Sequence, residues 1–132
     1  MKIWIIDDEW ICRFLTQKLI EKSGVSTNIS QFTNGQEAAE FILNKRFQPW
    51  CLPDLIFLDI NMPVANGWKF LDTLQALRLI DYSPAIYITS SSQDNEDLAR
   101  ARTYSSISGY LAKPVTPVVL EKVFQDIQKV HA

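Results

Sequence analysis

The sequence predicts an α/β fold in which five parallel strands form a doubly wound sheet with helices on both faces. Short apolar runs alternate along the chain with segments of helical period, and such alternation is typical of right-handed parallel crossovers. One run, Leu55–Leu58, has four consecutive apolar residues, as expected for a strand buried on both faces. Several runs end in a reactive side chain, and these side chains should meet at one edge of the sheet.

The five predicted strands are short apolar runs that end in polar or turn residues. The central run reaches its end at Asp59, and the first run ends in two further carboxylates. Apolar runs of this length between turn signals are typical of buried strands. The predicted strands cover residues 2–6, 27–33, 55–59, 84–89 and 109–112.

The five predicted helices have apolar residues three and four positions apart. Gly24 and Gly35 lie at helix boundaries, and Thr116-Pro117 opens the last helix. The fourth predicted helix is only weakly apolar, with Leu98, Ala99 and Ala101 as its apolar residues. The predicted helices cover residues 10–22, 36–45, 68–79 and 94–104, and a final segment from residue 117 to at least residue 127.

Residues 46–53 form a proline-interrupted loop that is rich in apolar groups. We expect Phe47 and Trp50 to pack onto the domain, because large aromatic side chains are usually buried. The alternative is that the loop forms a patch for a partner.

Composition limits the possible classes of protein. A chain of 132 residues with 47% hydrophobic and 21% charged residues fits one globular domain, over residues 1–132 and with no effector domain. A net charge of -2 gives no basic surface for direct nucleic-acid binding. No apolar run is long enough to insert in a membrane and the start does not resemble a signal peptide, so a cytoplasmic location is expected.

The two cysteines and the one histidine do not predict a zinc site. Cys12 and Cys51 lack a C-x-x-C spacing, and His131 lies next to the last residue. We expect both cysteines to be reduced packing residues.

Reactive side chains end four of the five predicted strands. Asp7 and Asp8 end the first, Asp59 the third and Thr89 the fourth, and Lys113 follows the fifth. Carboxylates held close together repel each other unless a cation lies among them. Oxygen ligands without a nearby histidine or cysteine favour a hard ion, so the pattern predicts Mg²⁺ as the cofactor.

The same set of side chains suits phosphoryl transfer. Lys113 and Thr89 supply hydrogen-bond donors for phosphate oxygens, and Asp59 is a candidate nucleophile that would form an acyl phosphate. Each residue alone has a simpler explanation, since Asp59 could start a turn or cap a helix. The combination on consecutive strand ends favours the chemical interpretation.

The chain resembles the receiver domains of two-component response regulators over nearly its whole length. The motifs that carry the resemblance are Ile5-Ile6-Asp7-Asp8-Glu9, Leu58-Asp59-Ile60-Asn61-Met62-Pro63 with Asn66-Gly67, Ile88-Thr89, and Gly109-Tyr110-Leu111-Ala112-Lys113-Pro114. The resemblance implies a flavodoxin-like fold, close to chemotaxis regulators, with strand order 2-1-3-4-5. Ala65 departs from the family pattern, in which a larger aliphatic residue is usual.

The resemblance also implies the roles of the site residues. Asp59 would accept phosphoryl from a histidine kinase or phosphotransfer protein, and Lys113 would contact the phosphoryl group, with a cis peptide before Pro114. Asp7 and Asp8 would build the acidic metal pocket, in which Asp8, Asp59 and the backbone carbonyl of Asn61 are ligands. Such a domain is a phosphoacceptor that catalyses its own phosphorylation and dephosphorylation, with no other enzyme activity.

Thr89 and Tyr110 match the switch pair of this family. Phosphorylation would draw the Thr89 hydroxyl inward, let the Tyr110 ring follow, and change the surface of the fourth helix, fifth strand and fifth helix for a downstream effector protein. Asn61 and Ser91 match positions that tune dephosphorylation. The oligomeric state, the kinase and the effector stay open, as does whether the chain is complete or a piece of a longer regulator.

Three other functions are possible, and the sequence disfavours each of them. A haloacid-dehalogenase-type phosphatase also uses an aspartate nucleophile with Mg²⁺, but it needs an acid two residues later, where this chain has Asn61. A degenerate receiver that serves as a constitutive docking module is disfavoured by the complete set of Asp7, Asp8, Asp59, Thr89 and Lys113. A nucleotide-binding domain is disfavoured because the chain lacks a glycine-rich phosphate loop.

Overall fold

Five strands and five helices alternate in the described part of the chain. The computed structural model describes residues 1–25, 28–62, 66–77, 79, 82–91 and 94–131. The strands are β1 (Ile3–Ile6), β2 (Ile29–Phe32), β3 (Leu55–Asp59), β4 (Ala85–Ser90) and β5 (Ile107–Ala112). The helices are α1 (Trp10–Ser23), α2 (Gly35–Asn44), α3 (Gly67–Leu77), α4 (Asn95–Ala101) and α5 (Pro117–His131), and a 3₁₀ turn covers Pro49–Cys51.

All five strands pair in parallel, in the order β2-β1-β3-β4-β5. The predicted doubly wound sheet and its strand order are therefore confirmed. β3 is central and fully buried, and its last residue, Asp59, lies beside Thr89 of β4 in the sheet register. The carboxyl ends of the strands form one edge of the sheet, where ligands bind in folds of this type.

The two faces of the sheet are covered by different helices. Alternate residues of each strand point to opposite faces, so Ile3 and Ile5 pack with α1 and α5, whereas Trp4 and Ile6 pack with α2, α3 and α4. Burial of two apolar clusters, one on each face, accounts for strands that are apolar without alternation.

β2 and β5 differ most from their predicted ranges, whereas β1 and β4 differ by one residue at one end or both. β2 ends at Phe32 because Thr33 turns toward α2, where its backbone N–H and its hydroxyl both donate to the Glu37 carboxylate. β5 begins two residues earlier than predicted, at Ile107, and a register shift against β4 accommodates Ser108. A side chain at Gly109 would approach the Tyr87 ring to 2.9 Å, which explains the glycine.

α4 is shorter than predicted. It begins after Asp94, whose side chain accepts a hydrogen bond from the Glu96 backbone N–H at 2.8 Å. It ends at Ala101 because the next residues form tighter bonds, from Thr103 N–H to the Arg100 carbonyl and from Tyr104 N–H to the Ala101 carbonyl.

The prediction that the aromatic residues of loop 46–53 pack onto the domain was wrong. Phe47 is 81% exposed and Trp50 is 69% exposed. The loop is anchored instead by the buried side chains of Leu52 and Pro53. Backbone hydrogen bonds from Gln48 to Lys45 and from Cys51 to Gln48 fold it into successive turns that leave both rings in solvent.

Four residues of the predicted elements and motifs lie outside the described residues. They are Thr27, Pro63, Ala65 and Arg78. Within the described ranges, no helix combines the length and the apolar character that a membrane span requires.

Candidate functional site

Three ionisable side chains meet at the carboxyl edge of the sheet. The Lys113 ammonium lies 2.7 Å from a carboxylate oxygen of Asp7 and 3.3 Å from one of Asp59. Asp7 and Asp59 are both buried, and each is 3% exposed. One lysine charge can balance only one of the two buried carboxylates when both are ionised.

A third carboxylate completes an acidic cluster. Asp7, Asp8 and Asp59 each offer an oxygen, and these oxygens lie within 4.8 Å of one another. Asp8 is exposed, so the cluster opens to solvent on its side. The structure thus brings together the three carboxylates that were predicted to meet, because β1 and β3 are neighbours in the sheet.

Asp7 is held in place by backbone and side-chain contacts. Its N–H donates to the Phe32 carbonyl, and its carboxylate accepts from the Glu9 N–H at 2.9 Å. The Arg13 guanidinium donates to the Asp7 carbonyl oxygen at 2.8 Å. Arg13 was not among the predicted site residues, since its position on the first helix carries no signal for a contact with the preceding loop.

The environment of Asp59 favours its neutral form. Burial and, to a smaller extent, the nearby Asp7 charge raise the pKa of Asp59 from 3.8 to about 7, although Lys113 acts in the opposite direction. The Asn61 backbone N–H also donates to the Asp59 carboxylate, at 3.2 Å. The carboxylate is therefore poorly neutralised by the protein alone.

Lys113 is fixed by the end of β5. Its backbone N–H donates to the Ser90 carbonyl at 2.9 Å, and its peptide bond to Pro114 is cis, as the resemblance implies. Burial lowers the pKa of the Lys113 ammonium, but contact with Asp7 and the charge of Asp59 offset burial, so that the net pKa is raised. Lys113 is thus held in its charged form.

Thr89 and Tyr110 lie on neighbouring strands beside the acidic cluster. Thr89 is buried and lies beside Asp59 in the register, whereas Tyr110 is half-buried and pairs with Ile88. Burial raises the pKa of the Tyr110 hydroxyl, and a hydrogen bond with Ser90 opposes this change. Ser90 therefore connects to both Lys113 and Tyr110.

Gly67 fixes the start of α3 against the end of β3. A Cβ atom at Gly67 would lie 2.8 Å from the Asp59 carbonyl oxygen, and the Gly67 N–H donates to the Ile60 carbonyl at 3.0 Å. In the sequence, Gly67 belongs to the Asn66-Gly67 motif that precedes the predicted helix 68–79. Its role in close backbone packing depends on a tertiary contact that a glycine in a turn does not reveal.

An apolar surface on α1 adjoins the acidic cluster. Cys12, Leu15 and Thr16 of α1 line a small cavity of about 40 Å³ together with Asp7 and Lys113. The first half of α1 exposes four large apolar side chains, those of Trp10, Ile11, Phe14 and Leu15. The helical period predicted this helix correctly, but it did not show that part of the apolar face is open to solvent.

Comparison with known proteins assigns the chain to a family. Residues 3–125 match the family model of the response regulator receiver domain. The chain belongs to the response regulator receiver family. The receiver is 34% identical over 120 residues to the nitrate/nitrite response regulator protein NarL of Escherichia coli K12, covering 91% of this chain and 51% of that protein.

Other relatives agree with this assignment. A protein-glutamate methylesterase/protein-glutamine glutaminase of Clostridium acetobutylicum is 32% identical over 98% of this receiver and 35% of that protein. The crystal structure of a two component response regulator from Cytophaga hutchinsonii superposes with a TM-score of 0.85 at 28% identity, covering 97% of this chain and 96% of that one. The receiver spans about half or less of the length of these two curated relatives.

Proposed function

We propose that this receiver is a phosphorylation-dependent switch that accepts a phosphoryl group on Asp59. The observation that carries the proposal is the position of Asp59, which is buried at the carboxyl end of the central strand, 3.3 Å from Lys113 and within the acidic cluster. A carboxylate in this position can attack phosphorus, while a fixed cation beside it neutralises charge on the phosphoryl oxygens.

Phosphoryl transfer to Asp59 is a nucleophilic displacement at phosphorus. An Asp59 oxygen forms a bond to phosphorus as the bond between phosphorus and the donor breaks, and the leaving group keeps that electron pair. With a phosphohistidine donor, the leaving imidazole takes up a proton. Lys113 then exchanges contact with the Asp59 carboxylate for contact with the phosphoryl oxygens, and the Thr89 hydroxyl can donate to another of these oxygens.

The acidic cluster fits a magnesium ion. Asp7, Asp8 and Asp59 form an all-oxygen set that is open to solvent at Asp8, and Mg²⁺ takes one or two carboxylates and keeps several waters. The Asn61 carbonyl would add a further oxygen. When bound, Mg²⁺ supplies positive charge that orients the phosphoryl oxygens and neutralises the carboxylates.

The donor would be a histidine kinase or a phosphotransfer protein that docks on α1. Because Asp59 is buried, the phosphohistidine of the donor must come close to it, and the donor must therefore bind the residues around the acidic cluster. The exposed apolar residues of α1 are among these residues, and Trp10 is 65% exposed. Exposed apolar patches of this kind are typical of protein interfaces.

The output would be a population shift in the packing of α4, β5 and α5. A phosphoryl group on Asp59 favours the packing in which Thr89 contacts it, and Tyr110 then follows on the neighbouring strand. A downstream effector protein would bind the changed surface.

Intact mass spectrometry tests the acceptor. Incubation with Mg²⁺ and acetyl phosphate should add one phosphoryl group to the wild-type protein and none to Asp59→Asn. Asp54→Asn is a matched control, because Asp54 precedes the opposite end of the same strand and is exposed. Equal labelling of Asp59→Asn and the wild type would show that Asp59 is not the acceptor.

A second prediction separates donor docking from chemistry. Replacing both Trp10 and Phe14 with alanine should slow transfer from a phosphorylated kinase or phosphotransfer protein by at least tenfold, since interface aromatics commonly contribute more than about 1.4 kcal/mol. Labelling by acetyl phosphate should stay within twofold of the wild type. If the double variant loses both reactions equally, or keeps both at the wild-type rate, docking on α1 is contradicted.

A further inference from the structure

Four side chains link α3 to α4 and to the turn that follows α4, on one side of the sheet. The rings of Trp68 and Tyr104 stack at 5.5 Å with an interplanar angle of 20°. The Arg100 guanidinium lies over the Trp68 ring at 4.8 Å, and the Tyr104 hydroxyl donates to Asp72 at 2.7 Å. We call Trp68, Asp72, Arg100 and Tyr104 the α3–α4 clamp.

The clamp adds side-chain contacts to a helix, α4, that buries little of its own surface. Among the residues of α4, all of which are described, Ala101 is the one that is buried. Trp68, by contrast, is 5% exposed and belongs to the core cluster on that face of the sheet. A short helix with so little buried surface depends on its few side-chain contacts, and these contacts are made to a rigid partner.

The clamp connects at both ends to the proposed phosphorylation site. Trp68 follows Gly67, whose backbone packs against the Asp59 carbonyl. The Tyr104 backbone carbonyl accepts a hydrogen bond from the Ile107 N–H, at 3.3 Å, and so joins the end of α4 to β5, the strand that carries Tyr110. A displacement of α4 relative to α3 must therefore alter the stack or the hydrogen bond of Tyr104.

We propose that the α3–α4 clamp sets the switching equilibrium, because it favours the resting position of α4 and opens when the site is phosphorylated. This inference rests on the proposed function. If the clamp is closed in the resting state and open in the phosphorylated state, then weakening it raises the population of the second state. By thermodynamic linkage, the affinity of the site for a phosphoryl analogue then rises by the same factor.

The conservative variant Tyr104→Phe tests the clamp. It removes the hydroxyl that donates to Asp72 and keeps the ring that stacks on Trp68. We expect the affinity for beryllofluoride, measured by titration in the presence of Mg²⁺, to rise roughly threefold to fivefold, the factor that corresponds to one ordinary hydrogen bond. Hydrogen exchange of α4 in the unliganded protein should also become faster.

Tyr82→Phe is a matched control. It removes a tyrosine hydroxyl that donates to the Pro53 carbonyl at 2.8 Å, far from the clamp in the hydrogen-bond network. This variant should lose stability without a change in beryllofluoride affinity greater than twofold. Arg100→Ala is a second variant that loosens the clamp from its exposed side, and it should shift the affinity in the same direction as Tyr104→Phe.

The outcomes separate the two proposals. If the wild type binds beryllofluoride and both clamp variants bind it with unchanged or lower affinity, the clamp does not set the equilibrium and this inference is overturned. If Tyr82→Phe raises the affinity as much as Tyr104→Phe, the effect is a general loss of stability, and the inference is again overturned. If the wild type does not bind beryllofluoride at all, the proposed function fails, and the inference fails with it.

Discussion

At the scale of single residues, the protonation of Asp59 links the acidic cluster to stability. A carboxyl group whose pKa is higher in the folded state than in the unfolded chain binds its proton more tightly when folded. Folding is then penalised as pH rises from the unfolded pKa of 3.8 to the folded value of about 7, and the penalty is constant above that range. The metal-free protein therefore loses part of its stability across this pH window.

Asp59→Asn should remove this penalty. The free energy of unfolding of the variant should exceed that of the wild type by on the order of 2 kcal/mol at pH 8 in EDTA, and the difference should shrink toward pH 4. Urea denaturation at several pH values measures it. A difference that does not change with pH would contradict the assignment of the raised pKa to Asp59.

At the scale of elements, exposure is the property that sequence pattern predicts least well. The periods of α1 and the aromatic content of loop 46–53 identify a helix and an apolar loop, yet Trp10, Phe47 and Trp50 are all largely exposed. Hydrophobic periodicity indicates which residues lie on the same face of a helix, but it does not indicate whether another part of the protein covers that face. Clusters such as the α3–α4 clamp are hidden for the same reason, since they depend on how two elements pack.

The loop offers a direct check of this exposure. Replacing Phe47 and Trp50 with serine should change the free energy of unfolding by less than about 0.5 kcal/mol each, because neither ring is buried. Leu52→Ala should cost about 2–4 kcal/mol, because it leaves a cavity at the anchor of the same loop. Urea denaturation of the three variants gives both values, and a large loss for either serine variant would show that its ring is packed in solution.

At the scale of the whole molecule, the fold and the acidic cluster were predictable for one reason. Parallel strands that alternate with helices bring their carboxyl ends to one edge, so Asp7, Asp59 and Lys113 could be grouped from their positions in the chain alone. The supporting contacts of Arg13 and Gly67 could not, because these residues act through packing between elements. The receiver motifs supplied the strand order, which periodicity does not determine.

Magnesium binding should raise the stability of the entire domain. An ion that binds only the folded state stabilises it by about 2.7 kcal/mol at a concentration one hundred times its Kd, so saturating Mg²⁺ should raise the melting temperature by several degrees at pH 8. Differential scanning calorimetry with Mg²⁺ or with EDTA measures the shift. Asp8→Asn should reduce it, whereas Asp54→Asn should leave it unchanged.

The effects of Mg²⁺ and of Asp59→Asn on stability should not add, since both relieve the same repulsion among Asp7, Asp8 and Asp59. Asp59→Asn should be more stable than the wild type in EDTA but should gain less from Mg²⁺, so the two proteins converge or cross as the metal is added. Additive gains would mean that Mg²⁺ stabilises the protein at another place, and the acidic cluster would then lose its role as the metal site.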